Sequence, residues 1–187
     1  MSIKIIRLLD PELFLQLTPI SETASHSVLK VVIHDAQEYY TQQLLGSNLY
    51  RKLLNLVDTG DITAVGNEKY LELLENYVYP ALVKWAYHDA VPALNLRMTD
   101  KGVMMLSDTN AAQASVKDAY KLQSGIANKA QLKDKLAVEY LCENSNSFQE
   151  YNTRDQDNGG LEANKRPFTS GIVYSKGRGN KDNCDFR

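Results

Sequence analysis

Apolar residues at helical spacing recur over most of this sequence, and that pattern constrains the fold more than any other feature. Side chains three and four positions apart share one face of an α-helix, and such a face has to be buried. The strongest runs are Leu29, Val32, Ile33, Ala36, Tyr40 and Leu44; Tyr70, Leu71, Leu74, Val78, Ala81, Leu82 and Trp85; and Leu132, Leu136, Tyr140 and Leu141. The pattern predicts a mostly α fold, a helical bundle of four or five helices.

Glycine and proline predict where these helices end or bend. Gly46 follows the first run, at a position where glycine adopts a positive φ at little cost, so it predicts a helix end. Pro80 lies inside the second run and removes a backbone donor, which predicts a kink or a split near Tyr77. Pro92 is expected to stop the same run.

A different pattern follows Pro92. The turn residues 100–102 separate two short apolar segments, 96–98 and 103–106, and predict a small β-hairpin or an ordered loop. The helical pattern returns at Ala111 and is loosened by Gly125, so it indicates one long helix or a broken pair.

The composition changes near both ends of the chain. Residues 1–20 are rich in apolar residues, and Thr18-Pro19 interrupts their helical pattern. They are predicted to form an N-terminal arm, followed by a helical domain over 21–151. Residues 152–187 are rich in Asn, Asp, Gly, Lys and Arg and lack a helical period, which predicts an extended C-terminal arm.

Composition also excludes several classes of protein. The 187 residues suit one domain, and 43% hydrophobic with 24% charged residues is ordinary globular usage. A net charge of −2 gives no overall attraction to nucleic acid, so a dedicated DNA-binding protein is disfavoured. We expect neither a signal peptide nor a transmembrane span. Cys142 and Cys184 lack the spacing of a redox or zinc site, which fits a reducing cytoplasm.

Two His-Asp dipeptides, His34-Asp35 and His88-Asp89, are the strongest indication of catalysis. In a helical chain they leave open the hypothesis that the protein is a metal-dependent phosphohydrolase of the HD type, in which such side chains bind a divalent ion. A two-residue motif discriminates poorly, and no acidic cluster completes a site on one helix face. The sequence also lacks GxSxG, GxxxxGK[ST] and HExxH motifs. We therefore expect no enzyme activity, catalytic residue, cofactor or metal.

Eleven tyrosines are more than one core requires, and many lie in the helical half of the chain on several helix faces. Tyrosine is favoured at interfaces because one end is apolar and the other forms hydrogen bonds. Core packing is the competing interpretation for Trp85, and to a smaller extent for Tyr50 and Tyr79. The predicted interface residues are Tyr39, Tyr50, Tyr79 and Trp85 in the helices, and Ile172, Val173 and Tyr174 in the C-terminal arm.

Several segments between Leu29 and Tyr151 together resemble a known family. They are His34-Asp35-Ala36-Gln37-Glu38-Tyr39-Tyr40, Leu44-Leu45-Gly46-Ser47-Asn48-Leu49-Tyr50, Tyr77-Val78-Tyr79-Pro80-Ala81-Leu82-Val83-Lys84-Trp85-Ala86, Thr99-Asp100-Lys101-Gly102-Val103, and Leu141-Cys142-Glu143-Asn144. This region is similar to the head-to-tail connector, or adaptor, proteins of tailed bacteriophages, particularly the type from phages of Bacteroides-like hosts. The long C-terminal arm departs from that family's pattern.

The resemblance implies a structural protein of the virion. Members of that family form a ring below the portal at the capsid vertex, so it implies a dodecamer that is assembled in the host cytoplasm and joins capsid to tail. Its partners would be the portal protein and a tail or second ring protein, with no membrane. Genomic DNA would pass through the lumen without specific binding, which suits a near-neutral chain. Two alternatives to a connector remain: the HD-type phosphohydrolase, and a small helical adaptor unrelated to virions.

Overall fold

The computed structural model describes residues 5–99, 102–105, 116–152 and 160–165. The helices are α1 Pro11–Gln16, α2 His26–Ala36, α3 Gln42–Thr59, α4 Glu68–Leu73, α5 Tyr79–Asn95, α6 Val116–Glu143 and α7 Gln149–Asn152. A first π turn, Gln37–Thr41, joins α2 to α3, and a second, Leu74–Val78, joins α4 to α5. A 3-10 turn, Asp61–Thr63, follows α3. The predicted mostly α bundle is confirmed.

Two short strands lie where the sequence predicts a hairpin or an ordered loop. They are β1 Leu96–Thr99 and β2 Gly102–Met105, which pair antiparallel with Leu96 opposite Met105. None of the helices described is both long and apolar enough to cross a membrane.

Gly46 breaks the helix as the sequence predicts. It lies within α3 with φ 74° and ψ 159°, a conformation that is non-helical and nearly restricted to glycine. A Cβ atom at this position would lie 2.9 Å from the backbone nitrogen of Ala163, so the close approach of the chain there also requires glycine. One residue therefore ends a helical segment and makes room for another part of the chain.

Of the kink or split that Pro80 predicts near Tyr77, the structure shows a local change from α to π geometry and not a split. Tyr77 lies inside the second π turn, and Pro80 is the second residue of α5, so the helical path continues. A proline lacks the N–H that would bond four residues back, and its ring crowds that carbonyl. The wider π turn just before Pro80 accommodates this local defect without ending the helix.

Pro92 does not stop the helix either, because α5 continues to Asn95. Without an N–H at Pro92, the carbonyl oxygen of His88 lacks its usual helical donor. The side-chain amide of Gln123 in α6 donates to that oxygen at 3.4 Å. The neighbouring helix thus compensates in part for the backbone hydrogen bond that Pro92 removes.

The core forms around α5, which packs against both α2 and α6. Of the two forms predicted for this part of the chain, one long helix or a broken pair, the structure shows the long helix, α6, which passes through Gly125 without interruption. The described part of the predicted N-terminal arm contributes to the core as well, since Leu9 and Phe14 are fully buried. The other largest fully buried side chains are Leu29, Ile33, Leu45, Leu49, Leu53, Leu73, Leu74, Leu82, Leu141 and Phe148.

Candidate interaction surfaces

The predicted interface residues occupy different environments. Tyr39, in the first π turn, is 64% exposed and is free to contact another molecule. Tyr79, at the start of α5, is half-buried, and its burial raises the pKa of its hydroxyl. The predicted arm residues, Ile172, Val173 and Tyr174, lie outside the described residues.

Tyr50 contacts its own chain. Only 3% of it is exposed, and its hydroxyl donates a hydrogen bond to Glu38 while it accepts one from the amide of Gln37 at 2.8 Å. Gln37 also accepts the backbone N–H of Leu8 at 2.7 Å. This buried network ties the N-terminal segment to α3. Burial and the bond to Glu38 raise the pKa of Tyr50, so the hydroxyl stays protonated and can donate.

Trp85 is also buried, with 7% exposed, and its contacts lie within the chain. Its ring stacks on Tyr40 with 4.0 Å between centroids and 6° between planes. Its indole N–H donates to a carboxylate oxygen of Asp134 at 2.8 Å. Trp85 therefore joins the first π turn, α5 and α6, and offers little surface to a partner.

A cavity of about 310 Å³ lies beside Trp85. Its walls come from the first π turn, α3, α5, α6 and residues 160–165, and the lining residues are Tyr39, Tyr40, Gln43, Leu44, Trp85, Ala127, Gln131, Asp134, Val138 and Asn164. We call it the Trp85 cavity. Burial raises the pKa of Asp134 to about 6, although the bond from Trp85 acts in the opposite direction. Sequence reasoning missed this site because Trp85 and Asp134 are 49 positions apart.

The four residues of the hydrolase hypothesis lie near the same region. His88 is paired with Asp89 at 2.7 Å, and Asp89 lines a shallow cleft together with Asp35. The Nδ1 atom of His34 is buried and has no hydrogen-bond partner among the described residues. Among the residues that the structure describes, no three His, Cys, Asp or Glu side chains are grouped so that they could hold a metal ion.

The outer face of α6 carries large apolar side chains that face solvent. Leu122, Leu132 and Leu136 are 49%, 57% and 41% exposed, whereas Ala130 and Ala137 of the same helix are fully buried. The sequence pattern placed the leucines with the core positions of this helix. We call these three residues the α6 leucine stripe, because their spacing puts them along one side of the helix.

Residues 160–165 form a strap across the helix break at Gly46. The backbone N–H of Ser47 donates to the carbonyl of Leu161 at 2.9 Å, and the N–H of Asn164 donates to the carbonyl of Gln43 at 2.8 Å. The Ser47 hydroxyl also accepts the N–H of Leu161 at 2.8 Å. A helix break leaves backbone groups without helical partners, and the strap supplies partners for them.

Comparison with known proteins gives one family assignment. Residues 41–159, which include the helix break, most of the residues that line the Trp85 cavity and the whole of α6, match a family described as "Family of unknown function (DUF6712)". No curated protein and no solved structure matches the chain. Because the match covers more than half of the sequence, the chain belongs to this family of unknown function, DUF6712.

Proposed function

We propose that this chain is the subunit of a head-to-tail connector, a ring below the portal of a tailed-phage capsid. The observation that carries the proposal is the exposed α6 leucine stripe. Support also comes from the resemblance of residues 29–151 to connector proteins and from the strap that anchors the C-terminal arm. The ring would be located in the virion, at the neck, and would have no catalytic role.

The α6 leucine stripe has the properties of a protein contact. From Leu122 to Leu136 it extends about 21 Å along the helix, at 1.5 Å per residue. Burying one exposed leucine side chain contributes roughly 1.5–3 kcal/mol at most, and each of these three is already partly covered. Aligned apolar side chains on one exposed helix face mark an interaction site more strongly than scattered ones.

A closed ring needs a second, different surface on each subunit, because its contacts are heterologous. Exposed apolar side chains also occur near the N-terminal end, where Ile5, Leu17 and Val31 are 45%, 49% and 58% exposed. Both α2, which carries Val31, and α6 pack against α5. We propose that the leucine stripe of one subunit contacts this N-terminal surface of the next.

The strap gives the C-terminal arm a fixed origin on the helical domain. Two backbone hydrogen bonds and one bond to the Ser47 hydroxyl hold residues 160–165 against Gln43 and Ser47. We propose that this arm reaches the portal protein, or a tail or second ring protein. A near-neutral chain suits a channel wall past which DNA slides, since many basic contacts to phosphate would hold the DNA.

Light scattering on the full chain tests the proposal when wild type is compared with the double variant Leu132→Gln and Leu136→Gln. Wild type should show a mass that rises with concentration or on addition of a candidate portal ring, and the double variant should remain a monomer. Val65→Gln is the matched control, because Val65 is 99% exposed in a loop away from the stripe. Equal assembly of wild type and the stripe variant would contradict the proposed interface.

A further inference from the structure

The two ends of one helical hydrogen bond are held apart at the break in α3. In an uninterrupted α-helix the N–H of each residue donates to the carbonyl four positions back, so Ser47 would donate to Gln43. Instead, the N–H of Ser47 donates to the carbonyl of Leu161 at 2.9 Å. The carbonyl of Gln43 accepts the N–H of Asn164 at 2.8 Å. The strap thus occupies both groups that a continuous helix would join to each other.

The site that receives the strap allows a close approach of the two segments. Gly46 has a φ of 74°, and a Cβ atom there would lie within 3.2 Å of three atoms of Ala163. Ala163 is itself buried and belongs to the hydrophobic core. Ser47 is 1% exposed, and its hydroxyl accepts the N–H of Leu161 at 2.8 Å and the side-chain amide of Gln42 at 3.1 Å. Burial and hydrogen bonds together favour the docked strap.

The backbone groups at the break have a second way to be satisfied. Once the strap leaves, the N–H of Ser47 can donate to the carbonyl of Gln43 if Gly46 takes a helical φ, which glycine adopts as readily as a positive one. The Ser47 hydroxyl can bond the same carbonyl, as serine does within helices. Both backbone groups then keep a partner. The two arrangements exclude each other, because Gly46 has a different φ in each.

We propose that the strap and the helix break form a conformational switch. While residues 160–165 are docked, α3 is bent at Gly46, and when they are released α3 becomes one continuous helix. Residues 166–187 follow the strap in the sequence, so a partner that binds them and draws the strap away would favour the straight form. This inference is independent of the proposed ring, because one subunit contains every part of the switch.

A change in the direction of α3 would reach the N-terminal segment. Tyr50 lies beyond the break and accepts a hydrogen bond from the amide of Gln37 at 2.8 Å, and Gln37 lies before the break. The same Gln37 side chain accepts the N–H of Leu8 at 2.7 Å. Straightening α3 would move Tyr50 away from Gln37 and loosen this network. The Leu8 amide therefore reports on the bend at a distance from the strap.

Amide hydrogen exchange, followed by NMR on the full chain, distinguishes the two arrangements. Asn164→Pro removes one donor of the strap and leaves the sequence of α3 unchanged. Gly46→Ala places a Cβ atom against Ala163, and alanine favours the continuous helix. Gly60→Ala is the matched control, because Gly60 also has a positive φ, of 79°, but a Cβ there would have no described atom within 4 Å.

In N164P and G46A the amides of Leu161 and Leu8 should exchange at least about tenfold faster than in the wild type, the scale for losing hydrogen bonds. The Ser47 amide should stay within about threefold of its wild-type rate, because it then donates to Gln43. G60A should leave all three rates unchanged. The ¹³Cα chemical shift of Gly46 in N164P should move to the helical value.

Four results would overturn the proposal. If Leu161 stays protected in both variants, the strap does not depend on the break. If the Ser47 amide loses protection together with that of Leu161, the break stays open after the strap leaves. If Leu8 keeps its wild-type rate while Leu161 exchanges freely, α3 has not changed direction. If N164P is unfolded by circular dichroism, the strap is a required part of the fold and not a switch.

Discussion

The two faces of α6 depart from the usual distribution of side chains in opposite ways. The outer face exposes leucines, of which Leu132 and Leu136 are 57% and 41% exposed, while the inner face places the carboxylate of Asp134 against Trp85. Apolar groups are ordinarily inside and carboxylates outside. Such local departures from the usual rules are expected at functional sites.

The two departures have different energetic consequences. A leucine that remains exposed changes the folding free energy little, but its burial on contact with another subunit favours assembly. A carboxylate that folding removes from water lowers the stability of the folded chain. Changes on the outer face should therefore affect assembly, whereas changes on the inner face should affect stability.

The largest expected effect is a difference in the free energy of unfolding between a variant of the inner face of α6 and a variant of its outer face. Leu141→Ala removes a fully buried side chain and should lower the free energy of unfolding by about 2–5 kcal/mol. Leu136→Ala, on the outer face, should change it by about 0.5 kcal/mol or less. Urea unfolding of both variants as monomers measures the difference, and equal losses would show that the two faces are not distinct.

Asp134→Asn should stabilise the chain at neutral pH. Burial raises the pKa of Asp134 from its ordinary value of 3.8 to about 6 in the folded chain, so ionisation destabilises the folded state by up to about 3 kcal/mol. This destabilisation is present above about pH 6 and disappears as the pH falls through 6 toward 4, where the folded state binds the proton first.

Urea unfolding of D134N and wild type at several pH values measures this linkage. The variant should gain about 1–3 kcal/mol above pH 6, and the gain should vanish near pH 4. Glu139→Gln is a control on the same helix, where the carboxylate is partly exposed beside Lys135. A gain that does not depend on pH would contradict the assignment of a buried, ionised carboxylate.

The smallest effect concerns the contact that compensates for Pro92. Gln123→Ala removes the donor to the carbonyl of His88 and should cost about 0.5–1.5 kcal/mol in unfolding free energy. Ser124→Ala, at the adjacent exposed position, should cost less than half of that. Differential scanning calorimetry would detect both, and a Q123A variant as stable as S124A would show that this long hydrogen bond contributes nothing.

Much of the fold follows from local sequence patterns. The helical periods and the break at Gly46 are properties of a few neighbouring residues, and both were predicted from the sequence. The effect of Pro92 was misinterpreted because it depends on another part of the chain. Gln123, which supports the helix at Pro92, is 35 positions away from its acceptor residue His88.

The candidate sites could be predicted only in part. On α6 both the leucines and the alanines recur at helical spacing, and hydrophobicity favours the leucines for the core. Folding buries the small side chains of Ala130 and Ala137 instead, and Ala137 packs in a cluster with Leu44 and Val138. The pairing of Trp85 with Asp134 likewise follows from the approach of two helices, which no local pattern contains.

The most direct test of the central claim is negative-stain imaging of the full chain mixed with a candidate portal ring. The account predicts a closed ring of this chain stacked coaxially on the portal, with its formation lost in the variant carrying Leu132→Gln and Leu136→Gln. Bare portal rings beside a monomeric chain at every concentration would contradict the connector function.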